Sequence, residues 1–199
     1  TSLAKQVTII IGAINTTLEV RIMAKNNDAE ENKFNNGSID LNSSDLEFYT
    51  EEGVDPQVIG MRFENITIPQ GATITAAYIE FTVDESTTGN VTMNFAGEAV
   101  DNSLAFTSVP FNISGRTKTN SQVSWSPTDW TVVNSLKQTP DLKNCVQEII
   151  NRSGWNNGNA MTFIVNGGNT PTATRIAYSF DGSSTKAPLL HINYSFNNQ

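Results

Sequence analysis

Side chains able to do covalent chemistry are few in this sequence. His191 is the single histidine and Cys145 the single cysteine, and neither stands in a motif that sets a serine or a second metal ligand beside it. Nucleophilic triads and zinc-hydrolase sites therefore have no support. Glycoside hydrolysis needs two carboxylates at a defined separation, and nothing in the spacing of the 20 acidic residues selects a pair. The expectation is a protein that binds rather than catalyses.

Two groups of residues could bind. The run Asp28-Ala29-Glu30-Glu31 offers hard oxygen ligands of the kind calcium takes, and Asp84, Glu85 or Asp181 could join it if the fold brings them close. The expected metal set is Asp28, Glu30, Glu31 and Asp181, with calcium in a structural role; the competing reading is a solvated acidic loop. The second group is aromatic. A pyranose has an apolar face and a rim of hydroxyls, so its recognition needs an exposed ring beside planar polar side chains. Trp125, Trp130, Trp155 and Tyr178 are the candidate platforms, with Arg116, Asn156, Asn157 and Arg175 as polar partners. Trp155, between Gly154 and Asn156-Asn157-Gly158, is the one best placed for exposure. Burial competes with ligand contact for every tryptophan.

Composition narrows the partners. The chain has 199 residues, within the range of one domain. Its 12 basic against 20 acidic residues give a net charge of -8, which repels phosphate backbones and argues against nucleic acid. Charged residues are only 16%, and Asn, Ser, Thr and Gly supply the polarity, as suits strands joined by polar turns. Asn-X-Ser/Thr triplets begin at Asn15, Asn36, Asn42, Asn65, Asn90, Asn112, Asn151 and Asn193, and would carry glycans in a glycosylating pathway. One cysteine excludes an internal disulfide. No stretch approaches the ~18 apolar residues that span a bilayer, so membrane insertion is not expected.

The elements that must position these residues are mostly strands. Val7-Thr8-Ile9-Ile10-Ile11 does not alternate and wants both faces covered; it reads as a strand rather than a signal peptide. Alternation predicts strands at Leu18–Ala24, Gln57–Phe63, Thr73–Val83, Val91–Ala99, Ala160–Val165, Arg175–Phe180 and Leu189–Phe196. Lys25 to Asp45 is polar without periodicity and reads as the longest irregular segment, the first place to look for function. Asp101 to Thr131 reads as a second, aromatic-pinned excursion. One helix is expected after Thr139-Pro140-Asp141, with Thr139 as its cap and Leu142, Cys145, Val146, Ile149 and Ile150 as its apolar stripe. One helix among nine or ten strands implies a two-sheet antiparallel β-sandwich, a jelly roll.

From about Leu18 to its end the sequence resembles the jelly-roll modules of the DNRLRE or disaggregatase-related type, especially a branch attached to secreted enzymes of marine bacteria. The features that carry the resemblance are Asp28-Ala29-Glu30-Glu31, Val58-Ile59-Gly60-Met61-Arg62-Phe63, Ile68-Pro69-Gln70-Gly71-Ala72-Thr73-Ile74, the helix, Tyr178-Ser179-Phe180-Asp181-Gly182-Ser183 and Ala187-Pro188-Leu189-Leu190-His191-Ile192. The resemblance implies an extracellular, non-catalytic accessory role in binding polysaccharide. It leaves residues 1–17 as an N-terminal extension to a sandwich of residues 18–199. That extension motivates an alternative: a filament subunit that donates its first strand, through Val7, Ile9, Ile10, Ile11 and Ile14, to a neighbouring copy.

Overall fold

A computed structural model of the chain describes residues 13–51, 55–167 and 173–196. Alternating β-branched and aromatic residues build most of the strands: β1 (Ile14–Arg21), β2 (Asp28–Asn32), β3 (Ser38–Asp40), β4 (Asp45–Phe48), β5 (Thr50–Glu51), β6 (Asp55–Phe63), β7 (Thr73–Thr82), β8 (Met93–Glu98), β9 (Lys118–Trp125), β10 (Leu136–Gln138), then the helix α1 (Lys143–Ile150), β11 (Met161–Gly167), β12 (Arg175–Tyr178) and β13 (Leu189–Phe196). The smaller sheet runs β1-β13-β7-β10 and the larger β3-β2-β6-β11-β8-β9, with β5 on β6 and a separate pair β12-β4. Each pairing is antiparallel. Without the β2–β3 hairpin, β1-β13-β7-β10 faces β6-β11-β8-β9. First and last strands lie side by side and, apart from the β8–β9 hairpin, the chain crosses between the two sheets, which is the order of a jelly roll.

The inner faces close over one core. Ile59, Met61 and Phe63 of β6, Ile79 and Phe81 of β7, Phe163 of β11, and Leu190 and Ile192 of β13 are fully buried there, each such side chain contributing about 1.5–3 kcal/mol. The outer face of the larger sheet is covered as well. Phe106 and Ile113, from the excursion before β9, pack on Ala29, Val58 and Ile164. That second layer explains why Val58-Ile59 and Phe163-Ile164-Val165 are apolar without alternating. Gly60 is required beneath it, since a Cβ at that position would lie 2.4 Å from the Phe106 ring.

Three expectations change, and one is not reached. β1 starts at Ile14, which pairs with Phe196, so the boundary expected between Thr17 and Leu18 falls inside a strand. Val7, Ile9, Ile10 and Ile11, on which strand donation depends, lie outside the described residues. The two segments read as irregular contain β2, β3 and β9. Finally, α1 starts at Lys143 after an N-cap, Leu142, that makes no side-chain cap bond. Thr139 and Asp141 serve β7 instead: the Thr139 hydroxyl accepts the Ile79 N–H at 3.1 Å, and the Asp141 carboxylate accepts those of Ala77 and Lys143 at 3.0 Å each. With the Gln147 carbonyl accepting the Ile74 N–H at 2.8 Å, these groups continue the ladder of β7 beyond the three-residue β10. As expected, Cys145, Val146, Ile149 and Ile150 form the buried stripe.

Candidate functional site

The large aromatic side chains expected as platforms are mostly core. Trp130 is 0% exposed and Trp155 only 1%; the Trp155 indole N–H donates to the Ile68 carbonyl at 2.9 Å. The expected exposure of Trp155 is therefore corrected: its large apolar area and its one donor are both satisfied under the Ile66–Ile68 segment. Trp125 is half-buried against Phe81, Phe95 and Trp130. Tyr178 is half-buried, with the Lys186 ammonium 4.2 Å from its ring centre. Asn156 is exposed, its amide bonded to the Gly154 carbonyl at 3.0 Å.

The two arginines expected as sugar partners hold loops together. Arg175 is buried and donates to the carbonyls of Thr128, Thr174 and Gly89 at 3.2, 2.7 and 2.7 Å, and to the Asp129 carboxylate at 3.3 Å. Arg116 pairs with Glu98 at 2.9 Å, and donates to the carbonyls of Asn112, Leu104 and Ala105 and to the Asn112 side chain. Its guanidinium lies 4.4 Å over Phe106. Both side chains spend their donors on the protein, as a buried guanidinium must. Arg116 borders a cleft of about 390 Å³ with Asn102, Leu104 and Asn112, but its polar atoms there are committed.

The acidic run is a strand, not a loop. On β2, Asp28 and Glu30 point inward, opposite Met61 and Ile59, while Glu31 points outward. Asp28 Oδ2 accepts the Phe180 N–H at 2.7 Å and Glu30 Oε1 the Glu47 N–H at 2.6 Å. Burial pushes Asp28 up to about 7 and Glu30 up to about 8, and the charges of Asp181 on the first and of Asp45 and Glu47 on the second add to the rise. Glu31 Oε2 accepts the N–H groups of Ile113 and Ser114 at 3.0 and 2.7 Å, clamping the excursion to the sheet. Asp181 is exposed. Glu31 is thus separated from the other three residues of the expected calcium set by the thickness of the strand. Among the described residues no three His, Cys, Asp or Glu side chains are grouped to hold a metal ion.

The remaining chemistry-bearing residues are engaged elsewhere. His191 Nδ1 lies 3.0 Å from Glu19 Oε1, and its ring stacks on Tyr78 at 4.5 Å. The Cys145 thiol donates to the Ser121 carbonyl at 3.2 Å, and burial raises its pKa.

A different set of residues makes an open site, at the β2–β3 hairpin. Asn32 Oδ1 accepts the N–H groups of Phe34 and Asn35 at 2.9 Å each, while its amide donates to Asp55 at 2.8 Å. The turn closes through Asn36 and Gly37, both left-handed (φ 51° and 68°), an Asn-Gly pair suited to that conformation. Phe34 is thereby presented at the tip, 71% exposed. Phe111 donates its N–H to the Gly37 carbonyl at 2.9 Å and lays its ring where a Cβ of residue 37 would be, 2.4 Å from that Cβ position. It remains 52% exposed. Beside the tip lies a cleft of about 320 Å³ lined by Glu30, Asn32, Asn35, Ser38, Asp40 and Gln57, a size within the ~300–1,000 Å³ of small-molecule sites. Phe34, at the tip beside these hydroxyl, amide and carboxyl groups, gives the combination a sugar requires, while Phe111 meets the turn from the excursion that Glu31 ties to the other face of the hairpin. Sequence reasoning passed over Phe34 and Phe111, though the Asn32-to-Gly37 spacing around Phe34 was a signal of a tight turn.

No family model matches the sequence, and a search of curated proteins finds no match. Among solved structures the chain is similar to the carbohydrate-binding module TmCBM61, determined in complex with beta-1,4-galactotriose, at 10% identity and a TM-score of 0.27, over 92% of this chain and 88% of that one. The sandwich assignment stands on the strand order itself.

Proposed function

We propose that this chain is an extracellular, non-catalytic carbohydrate-binding module, and that the β2–β3 hairpin with Phe111 carries its binding surface. The supporting observation is the exposed Phe34 at the tip of the β2–β3 hairpin beside a polar cleft, with a second exposed ring, Phe111, held against the turn at Gly37 from the adjoining excursion. Phe34 and Phe111 are the aromatic members of the exposed large hydrophobic side chains among the described residues. A phenyl face meets the apolar face of a pyranose, and the amides and hydroxyls of Asn35 and Ser38 meet its rim. The resemblance of the sequence to polysaccharide-binding jelly rolls supports the same ligand class.

Affinity electrophoresis against a panel of plant, algal and microbial polysaccharides tests this reading. Retardation that is lost in Phe34→Ala and Phe111→Ala, with both variants melting like wild type, is the expected result. Absence of retardation across the panel, or retardation indifferent to both substitutions, would overturn it.

A further inference from the structure

We infer that the hairpin cleft selects glycans free of carboxylate and sulfate groups and discriminates against anionic ones; this rests on the proposed sugar site and adds its ligand class. The argument comes from which acidic and basic groups face the cleft. Asp40 lines it as an exposed carboxylate beside the buried Glu30 carboxyl, and Asp55 is held at its margin by the Asn32 amide. Asp45 and Glu47, from β4, stand behind Glu30. Lys33 is the only cation of the turn between β2 and β3, and its electrostatic neighbours are Glu31 and Lys118. Both belong to the other side of the hairpin, where Glu31 binds the excursion and Lys118 donates to Ser114 and Arg116 carbonyls. Among the described residues, no lysine or arginine lines the cleft.

Such a lining accepts hydrogen bonds from hydroxyls and donates from amides, but it gives a sulfate or uronate no counter-charge. One like-charge contact at a partly screened surface is enough for about tenfold discrimination. Asp40 is the residue through which to test this, because it is exposed and its Oδ1 only receives the Asn42 N–H at 2.7 Å. An asparagine there keeps that acceptor.

The experiment uses neutral polysaccharides and chemically sulfated derivatives of the same backbones, titrated against wild type, Asp40→Asn and Asp40→Lys at low and high salt. Wild type should bind at least one neutral polymer about tenfold more tightly than its sulfated derivative at low salt. The ratio should shrink in Asp40→Asn, reverse toward the sulfated polymer in Asp40→Lys, and shrink in high salt. A wild type that binds the sulfated derivative as tightly as its parent would overturn the inference and leave the sugar-binding reading intact. Failure to bind any polymer, neutral or sulfated, would overturn both. Melting curves of the two variants establish that they fold.

Discussion

Replacing Glu30 with glutamine, or Asp28 with asparagine, should stabilise this protein at alkaline pH. Both carboxyls are buried on β2 and held above their ordinary values, Asp28 to about 7 and Glu30 to about 8. Their folded-state pKa values exceed the unfolded ones, so the folded state binds the protons more tightly. The stability this provides is present in full below about pH 4 and is lost as pH rises through 7 and 8. At about 1.4 kcal/mol per pH unit, holding either group ionised in place costs about 4–5 kcal/mol. The amide isosteres remove that cost and keep an oxygen for the Phe180 and Glu47 N–H groups. At pH 8.5 each variant should melt about 10 °C above wild type, and the difference should close by pH 4. Differential scanning calorimetry from pH 4 to 9 provides the measurement. A wild-type melting temperature that is flat or rises across that range, or variants no more stable than wild type at pH 8.5, would refute the reasoning.

Other outcomes follow from the same geometry. If the proposed site is right, Phe34→Ala should weaken polysaccharide binding about tenfold by titration calorimetry, with the melting temperature unchanged, because the ring is exposed and takes no part in the core. Gly37→Ala should weaken binding comparably while lowering stability by about 1–2 kcal/mol in urea, since the new methyl group must expel the Phe111 ring from a left-handed position. Arg175→Met should cost about 3 kcal/mol in the same assay, because the carbonyls of Thr128, Thr174 and Gly89 lose a shared donor. Trp155→Phe should cost about 1 kcal/mol, the bond to the Ile68 carbonyl together with some packing.

The parts of this fold visible in the sequence are those where burial and polarity agree. β6, β7, β11 and β13 announce themselves through Val58-Ile59, Ile79 with Phe81, Phe163-Ile164-Val165 and Leu190 with Ile192. β2 is invisible because it inverts the rule: a strand reading Asp-Ala-Glu-Glu-Asn is buried, its charges satisfied by backbone N–H groups or by protons, which no periodicity records. β9 hides for the opposite reason. As an edge strand it turns only alternate residues such as Val123 and Trp125 inward, amid Lys, Asn, Ser and Gln. The helix signal at Thr139 misleads because a cap and a strand-edge acceptor need the same hydroxyl. The exposure expected of Trp155 fails on size. Tryptophan is the best sugar platform and also the most rewarding residue to bury, and the core took Trp130 and Trp155. The smaller Phe34 stayed outside because the hydrogen bonds of Asn32 fix the turn around it.

The Glu31 clamp has a consequence for how tightly a weak ligand can be held. One carboxylate oxygen ties residues 113 and 114 to β2, so the two ring-bearing segments, on separate stretches of chain, move as one body. On the proposed reading, a sugar bound at the turn has little loop motion left to freeze, and the entropy of ordering the site is met during folding rather than at each encounter. Preorganisation of this kind lets a shallow surface hold single sugar units weakly and release them quickly. A protein carrying it can stay on a long chain by repeated short contacts and still travel along it.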